Sequence, residues 1–164
     1  MKSTQLDFDY ELGAGELYQC FTDERFIVAQ LTAAGGTDVA VLERAVSEDG
    51  ARIVWRQRTE VEVPSIAKSM VPTSNLITQT DLWTVDGDGF RCDWQADISG
   101  APAVSSGAMA IAPEGAGCRY TFIGEVRVNV PLLGGRLEGL AVERMEDEIR
   151  RRDAYTREHI ADLG

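Results

Sequence analysis

The sequence predicts an α+β fold in which a curved antiparallel sheet wraps around one long C-terminal helix, in the order β-α-α-β5-α. Three observations carry this reading. Strand-like runs follow one another through short turns, so consecutive strands are antiparallel neighbours. Their apolar residues alternate, so one sheet face is covered and the other is wet. The one segment long enough to cover the inner face is the amphipathic stretch from about Leu133 to near the end.

Each element has its own signal. Residues 5–12 alternate strictly, with Leu6, Phe8, Tyr10 and Leu12 on one face and Gln5, Asp7, Asp9 and Glu11 on the other, the pattern of a half-buried strand. The period then changes. Leu17, Cys20 and Phe21, followed by Phe26, Ile27, Gln30 and Leu31, recur at helical spacing and predict two consecutive short helices. Thr22 or Asp23 caps the second, and Gly35-Gly36 stops it.

From Asp38 the text is strand and turn. "VAVLERAVSEDGARIVWRQRTEVEV" reads as two runs joined around Asp49-Gly50, a strong hairpin signal, and "NLITQTDLWTVDGDGFRCDWQADI" repeats it around Gly87-Asp88. "AVSSGAMAIA" and "CRYTFIGEVRVNV" are strands joined through residues 113–117. Between the third and fourth strands, "PSIAKSMVPTS" holds at most one helical turn between two prolines.

In the last block, Leu133, Leu137, Leu140, Ala141, Met145 and Ile149 form one apolar stripe. Opposite it, Glu146–Arg150, Asp147–Arg151 and Glu148–Arg152 are spaced as i,i+4 pairs with the acid first. That order is worth roughly 0.2–0.5 kcal/mol per pair in an isolated helix. The arginine run is therefore expected to be a solvated, self-paired face. The junction "NVPLLGGRLEG" invites comparison with a phosphate loop, but its glycines fall as G-G-x-x-x-G at 134, 135 and 139, and no Lys-Ser/Thr follows. It reads instead as a hinge. Pro131 ends the last strand, Gly134 and Gly135 let the chain reverse, and Gly139 lets helix and sheet approach.

Bulk properties narrow the function. The chain has 164 residues, 44% of them hydrophobic, which suits one domain over 1–164 with a substantial core. A formal net charge of −11 disfavours nucleic acid and anionic membranes as partners. The N-terminal text lacks an apolar signal region and no window approaches a membrane span, so the expected location is cytoplasmic. Cys20, Cys92 and Cys118 are unclustered and read as buried free thiols, with neither a zinc site nor a disulfide framework. No metal or other cofactor is expected. Oligomeric state is not encoded in any recognisable pattern.

With these elements in place, the chain resembles the START-like superfamily, the helix-grip fold of polyketide cyclases and birch-pollen-allergen-type proteins. The closing segment "GEVRVNVPLLGGRLEGL" and the hairpin "TDLWTVDGDGFRCDW" are most similar to an uncharacterised actinobacterial branch of unknown function. The resemblance covers essentially the whole chain. It implies a hydrophobic cavity between sheet and helix, able to hold lipids, polyketides or other apolar molecules, and it implies no single reaction.

Strand phase says what would line such a cavity. A two-residue turn at Gly87-Asp88 pairs Val85 with Phe90, Trp83 with Cys92 and Asp81 with Trp94, and paired residues share a sheet face. The apolar set Phe90, Cys92, Trp94, Ala96 and Ile98 points inward, taking Val85, Trp83, Asp81, Gln79 and Ile77 with it. Cys118, Tyr120, Phe122, Gly124, Val126 and Val128 are the inward set of the last strand, and Ile53, Trp55, Gln57, Thr59, Val61 and Val63 that of the third. The candidate ligand-binding residues are Trp55, Asp81, Trp83, Cys92, Trp94, Tyr120 and Phe122 from the sheet, with Leu137 and Met145 from the helix. The small residues of "AVSSGAMAIA" leave room for something bulky. The competing reading is a solid core filled by the aromatics and the helix.

Asp81 is the sharpest of these residues. An inward carboxylate beside two tryptophans is costly to ionise, so it would orient a ligand or act as an acid or base. Two alternatives stand beside that. A one-residue register shift places Thr78, Thr80 and Leu82 inside, or Asp81 sits hydrated at an open rim. Catalytic motifs are otherwise missing. His159, the sole histidine, lies in the last helical turns with no flanking nucleophile motif. Non-catalytic binding or transport of a hydrophobic small molecule is the leading functional reading. A cyclase- or hydrolase-like enzyme and an interaction module with a vestigial cavity are the alternatives.

Overall fold

The structure, a computed structural model, describes residues 1–160. Strand β1 (Lys2–Tyr10) is followed by helices α1 (Ala14–Phe21) and α2 (Glu24–Ala33). Three hairpins come next: β2 (Thr37–Val46) with β3 (Gly50–Glu60), β4 (Ser74–Asp86) with β5 (Gly89–Ile98), and β6 (Ala103–Glu114) with β7 (Gly117–Val128). Helix α3 (Gly134–Ile160) closes the described chain. Six strands thus follow the helices instead of the five expected, because every turn signal closes a complete hairpin. All seven strands form one antiparallel sheet in the order β1-β7-β6-β5-β4-β3-β2.

Local chemistry explains the boundaries. Asp23 caps α2 by accepting a hydrogen bond from the Phe26 backbone N–H at 2.9 Å, and Gly35 leaves the helix with φ 107°. The segment between Pro64 and Pro72 holds a single 3-10 turn at Ser65–Ala67. Strand β2 is an irregular edge, with register shifts between Thr37 and Ala40 and between Val41 and Glu43. Bulging of this kind blunts an exposed edge.

Register settles the phase question. Val85 pairs with Phe90, Trp83 with Cys92, Asp81 with Trp94 and Gln79 with Ala96, as the two-residue turn demands. Asp81 is 7% exposed whereas Leu82 is 46% exposed, so the register-shifted alternative does not occur. The three cysteines are free and buried.

The hinge at the start of α3 works differently from expectation. Gly134 and Gly135 are ordinary residues of the first helical turn, and the reversal is made by Leu132, whose φ is 68°. That left-handed backbone is costly for a leucine, and its side chain is fully exposed. A Cβ on Gly134 would lie 2.7 Å from the Val128 carbonyl oxygen, while one on Gly135 would meet nothing within 4 Å. A Cβ on Gly139 would meet only the flexible end of Lys2. Helix and sheet approach closely at Gly124 of β7, where any side chain would run into the Met145 sulfur.

Helix α3 packs chiefly against β7 and β1. Its charged face is also rearranged. Glu146–Arg150 forms, at 3.6 Å, but Glu148 and Arg152 turn away from each other towards the sheet and α2. Asp153–Arg157 supplies a second i,i+4 pair at 3.1 Å. The self-paired arginine face is therefore only partly present, because two of its members find partners across the fold.

Candidate ligand cavity

The inner face of the sheet has a filled end and a hollow end. At the filled end, α1 and α2 push aromatic side chains against the strands. Tyr18 stacks on Phe90 with centroids 3.9 Å apart and meets Trp83 edge-on at 5.6 Å, and Phe21 meets Tyr120 edge-on at 5.0 Å. Trp83, Cys92 and Tyr120 belong to this packed cluster, with Met109 and Ile111. Tyr120 donates to the Met109 sulfur at 3.1 Å. Burial raises the pKa of both the Cys92 thiol and the Tyr120 hydroxyl, so both stay protonated.

At the other end the α3 backbone stands off from β3, β4 and β5, with side chains such as Glu148 and Arg152 reaching β3, and leaves a cavity of about 830 Å³. Trp55, Trp94, Phe122, Leu137 and Met145 line it, together with Ile77, Ala96, Val126 and Ala141. That volume and an apolar, aromatic wall with a few polar groups are the usual make-up of a small-molecule site. The expected room above "AVSSGAMAIA" is present at its first residues, where Ala103 and Ser105 border the cavity, and is taken by the protein itself at Gly107. Gly107 pairs with both Trp94 and Gly124, and the Trp94 indole, its nitrogen close over Gly107, donates to the Ile123 carbonyl at 3.1 Å. Phe122 stacks on it at 5.6 Å.

A polar partition separates the two ends. Trp55 Nε1 donates to Asp81 Oδ2 at 3.3 Å, and Gln79 Nε2 donates to Oδ1 at 2.7 Å. Burial pushes the Asp81 carboxyl above the usual aspartate range, against the lowering pull of Gln79, Arg152 and Trp55. The Arg152 guanidinium lies 6.0 Å from the Trp55 ring centroid and donates to Gln30 Oε1 at 3.1 Å. Gln30 Nε2 in turn donates to Thr156, which is wholly buried and donates to the Arg152 carbonyl. Asp81, Trp83 and Tyr120 border a separate space of about 20 Å³ on the filled side, and Trp55, Ile149 and Arg152 border both spaces.

Five of the nine candidate residues therefore line the large cavity: Trp55, Trp94, Phe122, Leu137 and Met145. Asp81 is part of the partition and borders only the small space, Trp83 and Tyr120 lie behind it, and Cys92 borders neither space. Asp81 is not at a hydrated rim. The partition residues Arg152 and Thr156 escaped the sequence reading, although a signal existed. They continue the stripe of Met145 and Ile149 at helical spacing, but with polar side chains that a hydrophobic pattern passes over.

His159 stacks on Tyr155 at 3.9 Å and its Nδ1–H donates to the Tyr155 carbonyl at 2.8 Å, an arrangement within α3. Among the described residues, no group of three or more His, Cys, Asp or Glu side chains is placed to hold a metal ion. No described helix is long and apolar enough to cross a membrane.

Comparison with known proteins now bears on this geometry. The sequence profile of DUF2505, described as a protein family of unknown function, matches residues 5–160. The chain belongs to the DUF2505 family. Among curated proteins none matches it. The chain has the START-like helix-grip fold. A START superfamily protein from Mycobacterium smegmatis superposes with a TM-score of 0.61 at 13% identity, covering 95% of this chain and 97% of the other. A STAR-related lipid transfer protein from Xanthomonas axonopodis gives 0.64 at 10% identity, covering 94% and 85%. The Zhui aromatase/cyclase from Streptomyces sp. R1128 gives 0.58 at 10% identity, covering 97% and 95%. At such identities the likeness is one of fold.

Proposed function

We propose that this DUF2505 protein is a cytoplasmic, non-catalytic carrier of a hydrophobic small molecule, lipid- or polyketide-like, held between the sheet and α3. The observation that carries the reading is the 830 Å³ cavity itself, walled by Trp55, Trp94, Phe122, Leu137 and Met145. A fold neighbour named for lipid transfer and another named as an aromatase/cyclase support an apolar ligand by analogy. Carriage is favoured over catalysis because the buried carboxyl of Asp81 is not among the lining residues and both its oxygens are engaged.

The test uses the built-in fluorophores. Trp55 and Trp94 line the cavity and Trp83 does not. Titration with long-chain lipids and aromatic polyketides is expected to shift or quench tryptophan emission saturably. The response should vanish in a Trp55→Phe/Trp94→Phe variant that still melts cooperatively. A flat titration with every ligand class contradicts the reading. Conversion of a bound ligand into a product would move the assignment to the enzyme alternative.

A further inference from the structure

The partition between the two ends of the sheet carries a cation held by neutral groups. Arg152 is half-buried and borders both the cavity and the small space behind the partition. Its Nε donates to Gln30 Oε1 at 3.1 Å, and Gln30 Nε2 donates to Thr156 Oγ1 at 3.0 Å. Thr156 donates back to the Arg152 carbonyl at 2.9 Å. Gln30 and Thr156 are 5% and 0% exposed, so this closed chain of hydrogen bonds is buried and fixes the guanidinium over the Trp55 ring.

The outer edge of the guanidinium is unused. Among the described residues neither terminal nitrogen makes a hydrogen bond or a salt bridge. Neither is enclosed in the way that Thr59 Oγ1 and Asn75 Oδ1 are, so both keep an open side. The nearby acids are committed elsewhere. Both Asp81 oxygens accept, from Trp55 and Gln79, and burial raises the Asp81 pKa, which weakens it as a counter-charge. Glu148 Oε1 accepts from Gln57, and Asp153 accepts from Tyr10 and Arg157. Glu60, Glu62, Glu143 and Asp147 also border the cavity, but they are exposed at its rim, where water and salt screen them. The other bordering arginines differ from Arg152: Arg58 is paired with Asp38, and Arg144 and Arg151 are exposed.

A guanidinium beside apolar volume is costly to leave without a counter-charge, and its free fork matches the two oxygens of a carboxylate. Away from the partition the lining passes to Val63, Val71, Val128 and Leu137. We propose that the cavity takes an apolar monocarboxylate head first, with the carboxylate on the terminal nitrogens of Arg152 and the apolar body towards Leu137. This inference rests on the reading of the cavity as a ligand site and adds the head group and orientation of its occupant. Gln30 and Thr156 act as positioning residues, holding the guanidinium where the head group arrives.

Two matched pairs of probes test the proposal by calorimetric titration of the delipidated chain at neutral pH: decanoate with methyl decanoate, and 2-naphthoate with methyl 2-naphthoate. At least one carboxylate is expected to bind about tenfold tighter than its ester, the scale of one charge-assisted hydrogen bond. In Arg152→Met that carboxylate should fall to the level of its ester, while the ester keeps its affinity and so reports an intact cavity. Arg152→Lys keeps the charge but loses the fork, and its preference should shrink to about threefold. An ester that binds as well as its acid in both pairs overturns the proposal and leaves the cavity reading standing. So does a preference that survives undiminished in either variant. Failure of all four probes to bind overturns both.

Discussion

Replacing Ala141 by leucine distinguishes a hollow interior from a solid one. Ala141 sits on α3, half-buried, and borders the cavity. Leucine adds three carbons, each worth about 0.8 kcal/mol if fully buried, an upper limit of roughly 2.4 kcal/mol. Side-chain entropy removes about 0.5–1 kcal/mol of that, and incomplete burial removes more. The net expectation is stabilisation of the ligand-free protein by about 1 kcal/mol, a rise in melting temperature of roughly 2–4 °C for a chain of this size. Ala51 provides the contrast. It is 8% exposed, lies in the packed cluster and does not border the cavity, so Ala51→Leu should cost about 1–3 kcal/mol by overpacking. Urea titration of the delipidated proteins measures both. If Ala141→Leu destabilises as much as Ala51→Leu, the space beneath α3 is not open and the reasoning fails.

Further outcomes follow from the same geometry. Gly135→Ala should leave stability unchanged or slightly raised, since a Cβ there meets nothing within 4 Å, whereas Gly134→Ala should cost about 1 kcal/mol or more against the Val128 carbonyl; thermal melts rank the two. Leu132→Gly should stabilise by about 1 kcal/mol by removing a left-handed leucine, and a loss on chemical denaturation would contradict that backbone assignment. The raised pKa of Asp81 means that the folded state holds its proton longer than the unfolded chain does. Its contribution is therefore fully present below the ordinary aspartate range and declines as pH rises towards the folded-state value. Asp81→Asn should flatten that part of the stability–pH profile, and an unaltered profile would show that the carboxyl is not desolvated. Gly107→Ala should cost about 2 kcal/mol or more, because the new methyl collides with the Ile123 carbonyl beneath Trp94; wild-type stability with native Trp94 emission would refute that packing.

Much of the sheet was legible in the sequence because side-chain period and turn length are local. The two-residue turn at Gly87-Asp88 determined every pair from Val85–Phe90 to Ile77–Ile98, and with them the inward face of Asp81. Two features were not legible, for a shared reason. The pairing of β1 with β7, and the division of the inner face into filled and hollow ends, depend on contacts between residues far apart in sequence. Alternation tells that Trp83 and Trp94 both point inward, but not that Tyr18 and Phe21 will fill the space beside one and leave space beside the other. Arg152 is the same problem in one residue. Its helix offered it Glu148 as a partner, and only the fold offered Gln30 and Trp55.

The central claim is that the cavity beneath α3 holds an apolar molecule, and its most direct measurement is the content of the freshly purified protein. Organic extraction followed by mass spectrometry under denaturing conditions should release a hydrophobic compound near one equivalent per chain. The Ala141→Leu variant should carry less. Protein that yields no such compound, and whose melting temperature is unmoved by a lipid and polyketide panel, would contradict the account.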